Sequence, residues 1–208
     1  MPELSFRHCV PEDVDLAVPL IYSSGPAAFD YVFCERRPDQ AQAYLRQEFV
    51  RGKSEFGFQQ HIAVLLDGEL IGVGAVRSAK QTTGFMLAAV HSFYQFYPLL
   101  ACAGVIARGL AIERVIRPPQ QNVGILYHLG IAPQHQGKGY GKRLVAELLL
   151  KVKERGLSIA GLDVAVTNPG AKSLYTKMGF VERATYRSSL ESAFGNVVDH
   201  IYMELPLN

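Results

Sequence analysis

The chain has 208 residues, 49% of them apolar and 19% charged, which suits one ordinary globular domain with a substantial core and leaves little room for a second. A formal net charge of +2 is too small to argue for nucleic acid or an anionic membrane as a partner. Cys9, Cys34 and Cys102 are odd in number, widely spaced and free of a Cys-x-x-Cys, which speaks against a disulfide framework or a metal site. With no basic-then-apolar order in the opening Met-Pro-Glu-Leu-Ser-Phe-Arg, a cytoplasmic location is expected.

Taken in order, Leu4 to Cys9 alternates as a first strand. Pro11-Glu12-Asp13 opens a helix carrying Val14, Leu16, Ala17, Leu20 and Ile21, and Ser23-Ser24-Gly25-Pro26 breaks it. Asp39 to Arg51 reads as a second helix, followed by a loop from Gly52 to Gly57. His61 to Leu66, Asp67-Gly68 and Glu69 to Arg77 form a hairpin signal, because Asp-Gly supplies the positive φ values of a type I′ turn. Within it, Gly72 and Gly74 mark a bulge or a close backbone approach.

A long connection follows, at about 82–117, and it should carry its own helices. Its stretch from Phe85 to Ala107 has no Asp, Glu, Lys or Arg and is long enough to cross a bilayer. His91, Ser92, Gln95 and the central Pro98 favour two buried helices instead, so no membrane is expected as a partner. Phe93, Tyr94, Phe96 and Tyr97 would suit a lid over a substrate, and equally a packed helix or a homodimer surface.

Ile125 to Pro133 then reads as a mostly buried strand, and Tyr140 to Arg155 as an amphipathic helix with Leu144, Val145, Leu148, Leu149 and Val152 on one face. Between them lies Gln136-Gly137-Lys138-Gly139-Tyr140-Gly141. Glycines in a tight strand-to-helix turn let several amides converge at a helix N-terminus, which suits a phosphate. The spacing is neither that of a dinucleotide fold nor that of a P-loop. After the helix, Ile159 to Val166 is a second buried strand, and Asn168-Pro169 begins another helix that Gly179 ends. Two antiparallel strands, Phe180 to Arg187 and Val197 to Leu205, complete a three-layer α/β or α+β pattern.

Gln136, Gly139 and Gly141 fit Gln-x-x-Gly-x-Gly, and Asn168, Ala171, Leu174, Tyr175, Gly179 and Phe180 fit Asn-x-x-Ala-x-x-Leu-Tyr-x-x-x-Gly-Phe. In this the chain resembles the GCN5-related N-acetyltransferases, the GNAT superfamily, over about its last ninety residues. The resemblance implies a mixed central sheet with helices on both faces; the helical insertion before the central strand departs from the family's minimal plan. It implies acetyl-CoA as acyl donor, an amine as acceptor, and no metal. Backbone groups of Leu129 and Ile131 would hold the pantetheine arm. Gln136 and the amides of Gly137, Lys138, Gly139, Tyr140, Gly141 and Lys142 would hold the pyrophosphate, with Asn168 touching the same ligand. Tyr175 would protonate the departing thiolate.

For a general base the residues offer His128, near neutral pKa but equally suited to a core position, with His91 and His200 behind it; a water relay would need none of them. A non-catalytic acyl-CoA-binding module on the same fold stays open as the alternative, since a fold does not fix a function.

Overall fold

The computed structural model describes residues 3–207. Its centre is one mixed sheet of β1 (Leu4–His8), β2 (His61–Leu66), β3 (Glu69–Ser78), β4 (Val123–Ile131), β5 (Ile159–Ala165), β6 (Val181–Tyr186) and β7 (His200–Pro206). The strand order is β1-β2-β3-β4-β5-β7-β6. Every neighbouring pair is antiparallel except β4 and β5, which run parallel. The helices are α1 (Val14–Ser23), α2 (Pro26–Phe33), α3 (Gln40–Arg51), α4 (Ala79–Phe96), α5 (Leu99–Ile112), α6 (Tyr140–Glu154) and α7 (Pro169–Lys177).

Alternation along the strands divides the core into two. Ala63 and Val73 face a cluster built with residues of α1 to α5, including Ile21, Phe33, Tyr44 and Phe93. Ile62, Val64, Ile71, Leu126 and Leu162 face the other cluster, with Leu144, Val145, Leu148 and Val152 of α6 and Tyr175 of α7. Helices therefore cover both faces of the sheet, as the GNAT-like pattern predicts. The apolar stripe of α6 is sealed, with Leu148 and Val152 fully buried. Each such side chain stabilises the domain by about 1.5–3 kcal/mol through burial alone. That close approach explains Gly74, where a Cβ would stand 2.9 Å from Leu148 Cδ1.

The hairpin forms as read: Asp67 and Gly68 take φ of 50° and 86°, and β2 and β3 pair on either side. The uncharged stretch folds as α4 and α5, with Pro98 capping the second. Among the described residues no helix is long and apolar enough to cross a membrane.

Two local expectations are corrected. Gly25-Pro26 does not simply break the chain; it starts α2, because a proline at the first helical position gives up an N–H that would be unsatisfied anyway. The last strand begins at His200 rather than Val197; Val197 is instead buried in the first cluster, anchoring the preceding loop by packing.

Candidate active site

The site opens where the sheet separates. β4 and β5 share only the pairs Val123 with Ile159, Gly124 with Ala160 and Ile125 with Gly161. From Leu126 onward β4 has no β5 partner, while β5 pairs along its length with β7. Ala132 donates its N–H to the Ile71 carbonyl on the β3 side at 2.8 Å. By strand alternation Gly130 also faces β3, so Leu129 and Ile131 turn their peptide groups toward the gap. Their side chains pack into the second cluster.

At the end of β4 the chain turns into α6. Gly137 and Gly139 hold φ of 74° and 86°, values that side chains other than glycine's rarely tolerate. A Cβ at either would meet nothing within 4 Å, so the space in front of the loop is open. Gln136 donates from Nε2 to the Ile131 carbonyl at 2.9 Å and ties the loop to the strand it leaves. Among the described residues none of the amides of 137–142 donates a backbone hydrogen bond, no side chain caps α6, and no acidic residue sits in its first turn. Lys138, Lys142 and Arg143 are exposed there. Unpartnered amides, a helix dipole and cations at one point make a cradle for an anion.

α7 closes the other side. Asn168 Oδ1 accepts from the Ala171 amide at 3.0 Å, so its carbonyl oxygen serves as N-cap and its amide group stays available in an exposed position. A Cβ on Gly141 would lie 3.5 Å from Leu174 Cδ2, so the two motifs separated in the chain meet in space. Tyr175, 7% exposed, packs beside Phe180. Its hydroxyl has no hydrogen-bond partner among the described residues yet is not sealed from solvent. Burial pushes its pKa up to about 12, so at neutral pH it carries its proton and can donate it.

His128 stands on the opposite face of β4 from Leu129 and Ile131, as alternation predicts, but through a bulge. Between the pairs Val73 with Gly130 and Ala75 with Tyr127, Gly74 of β3 faces both His128 and Leu129 of β4. His128 takes φ of 54° there. The bulge aims its ring at Phe56 and Phe29, with centroids at 5.4 and 5.5 Å. Burial, with His61 and Arg77 nearby, holds its pKa well below the ordinary histidine value, so it is neutral near pH 7.

His91 is exposed and hydrogen-bonds Gln95, and His200 Nδ1 lies 2.9 Å from the Val198 carbonyl. Of the readings open for the aromatic run, Phe93 and Tyr97 fit the packed helix: they are buried against Tyr44, and Tyr97 donates to the Phe33 carbonyl at 2.7 Å. Of that group only Tyr94 is exposed, at 55%.

Two residues had no signal in the sequence. His61, fully buried, places Nε2 3.0 Å from His128 Nδ1. Asp163 on β5 buries an Oδ1 that has no partner, and desolvation pushes its pKa up to about 7.

Comparison with known proteins agrees with this geometry. The model of the acetyltransferase (GNAT) family matches residues 26–180. The chain belongs to the GNAT acetyltransferase family. Among curated relatives, the [ribosomal protein bS18]-alanine N-acetyltransferase of Haemophilus influenzae is 40% identical over 57 residues, 27% of this chain and 38% of that protein. The matched region thus spans well under half of that relative's length. An N-acetyltransferase from Staphylococcus aureus Mu50 superposes with a TM-score of 0.70 at 14% identity, over 97% of this chain and all of the other. A putative acetyltransferase from Salmonella typhimurium, solved with its cofactor acetyl-CoA, superposes at 0.56 and 14% identity, over 99% and 95% of the two chains. At such identities these two likenesses speak for the fold.

Proposed function

We propose that this GNAT domain is an N-acetyltransferase that moves an acetyl group from acetyl-CoA to an amine by direct attack. The observation that carries the reading is the row of partnerless amides from Gly137 to Lys142 at the mouth of α6, beside the gap between β4 and β5. A pyrophosphate satisfies those donors, and the gap accommodates the extended arm that follows it. The acetyl-CoA complex of the Salmonella typhimurium neighbour on the same fold supports the choice of ligand.

In this reading Gln136 holds the loop in shape, Leu129 and Ile131 offer peptide groups to the arm and the thioester carbonyl, and Asn168 contributes its free amide. The amine attacks the carbonyl carbon, the C–S bond breaks, and Tyr175 gives its proton to the leaving thiolate. His128, neutral at working pH, takes the proton that the acceptor nitrogen loses. Direct attack is favoured over a cysteine intermediate, because Cys9, Cys34 and Cys102 are all buried and burial raises the first two thiols to about 12 and 11. We read 1–208 as one acyltransferase domain with the helices of 82–117 as an insertion, and assign it to a reducing cytoplasm on the strength of its free cysteines.

An N-terminal alanyl peptide is the first acceptor to try, since the Haemophilus influenzae relative is named for that group. Thiol release from acetyl-CoA, followed across that peptide, polyamines, amino acids and aminoglycosides, tests the proposal. Turnover with one class supports it; tight acetyl-CoA binding without turnover on the whole panel leaves a binding module in its place.

A further inference from the structure

We propose that His61 is a positioning residue that fixes the tautomer of His128, so that the lone pair of His128 sits on Nε2. The inference rests on His128 being the base of the proposed reaction.

His61 is sealed in the core, and its Nδ1 lies 2.9 Å from the Gly57 carbonyl oxygen. A carbonyl oxygen only accepts, so Nδ1 carries the hydrogen. A neutral imidazole has one N–H, so His61 Nε2 is a bare acceptor. His128 Nδ1, 3.0 Å away, must therefore be the donor, and the planes of the two rings are parallel to within 3°. By the same count His128 Nε2 is left with a lone pair. That nitrogen has no hydrogen-bond partner among the described residues and is not sealed from solvent.

The anchor is rigid. A Cβ on Gly57 would stand 2.3 Å from the Gly52 carbonyl carbon, so the loop carrying the Gly57 carbonyl is packed backbone against backbone behind α3. The bulge at His128 then completes the line by turning that ring toward His61. Around His128, α2 and the loop before β2 present Phe29 and Phe56, β2 presents His61, and Tyr127 lies beside it on β4. Arg77 on β3 is the charged group in reach, and its guanidinium is held by Glu55 at 2.8 Å.

During transfer the proton lost by the acceptor ammonium lands on His128 Nε2. The Nδ1–H bond to His61 then becomes charge-assisted and shorter, while His61 stays neutral. No proton passes to His61, whose own pKa burial lowers to about 4.

Histidine-labelled ¹⁵N–¹H spectra of the full chain read the tautomers without any acceptor. The expected result is Nδ1–H on both His61 and His128 at neutral pH. In His61→Phe, which fills the space but offers no acceptor, that form of His128 is lost and thiol release with the best amine of the panel falls about 10- to 100-fold, at unchanged KM for acetyl-CoA. In His61→Gln, whose amide oxygen reaches the place of Nε2, both return. A wild-type spectrum with the hydrogen on His128 Nε2, or His61→Phe with an undisturbed His128 and full rate, overturns the proposal. His128→Gln separates the two levels: full rate in that variant removes the base role beneath the proposal, while the wild-type tautomers still decide the assignment made here.

Discussion

Gln136 donates from Nε2 to the carbonyl of Ile131, five residues behind it in the chain, at 2.9 Å. The bond closes the turn between β4 and α6 and holds the following amides clear of any protein partner. Gln136→Ala removes it without adding bulk. The expected outcome is a roughly three- to tenfold weaker Kd for CoA, the equivalent of about 1 kcal/mol for one hydrogen bond. Calorimetric titration checks it, and the melting temperature should hardly move because Gln136 is exposed.

Gly139 holds φ of 86°, a conformation that a β-branched residue adopts at a cost of about 1–3 kcal/mol. Gly139→Val should abolish measurable CoA binding while the chain stays folded, because no protein atom lies within 4 Å of that Cβ and the open space is the one proposed for the ligand. Circular dichroism and titration on the same sample check both halves of the statement.

Tyr175→Phe keeps the ring packed against Phe180 and removes only the hydroxyl. Thiol release should fall about 100-fold with the Kd for acetyl-CoA nearly unchanged, the pattern of a lost general acid. An equal loss of binding would make the residue structural.

Asp163 supplies a pH signature. Its carboxyl is raised from 3.8 to about 7 in the folded chain, chiefly by desolvation. Across that window the folded state keeps a proton the unfolded state has released, so this residue's contribution falls as pH rises from about 4 to about 7 and is fully lost above. Asp163→Asn removes the slope. The variant should gain on the wild type by a few kcal/mol at about pH 8 and by little at about pH 4. Thermal melts at the two pH values check it, and a gap that does not change with pH would contradict it.

The cradle was legible in the sequence because its causes are local. Glycines at positive φ, an amphipathic α6 and an asparagine cap on α7 are each written within a few residues, and the second motif locates the partner strand. The proposed base, His128, was legible only as one histidine among several. The hydrogen bond proposed to orient it joins residues 67 apart, and what aims His128 is a bulge, where a register slip breaks the simple alternation of a strand. Asp163 escaped for a similar reason: its perturbation comes from burial beside the opening of the sheet, which no spacing encodes. The aromatic run was ambiguous because Phe93 and Tyr97 show the same pattern whether they line a cavity or fill a core; only the contact with Tyr44 decides.

Under the proposed function, peptide nitrogens at the mouth of α6 grip the phosphates of the acyl donor. Titration of CoA into ¹⁵N-labelled protein is the decisive measurement. The amides of Gly137, Lys138, Gly139, Tyr140, Gly141 and Lys142 should show the largest shift changes, saturating together with a single Kd. If CoA binds and those resonances stay still while others move, the ligand lies elsewhere and the mouth of α6 is not its phosphate site.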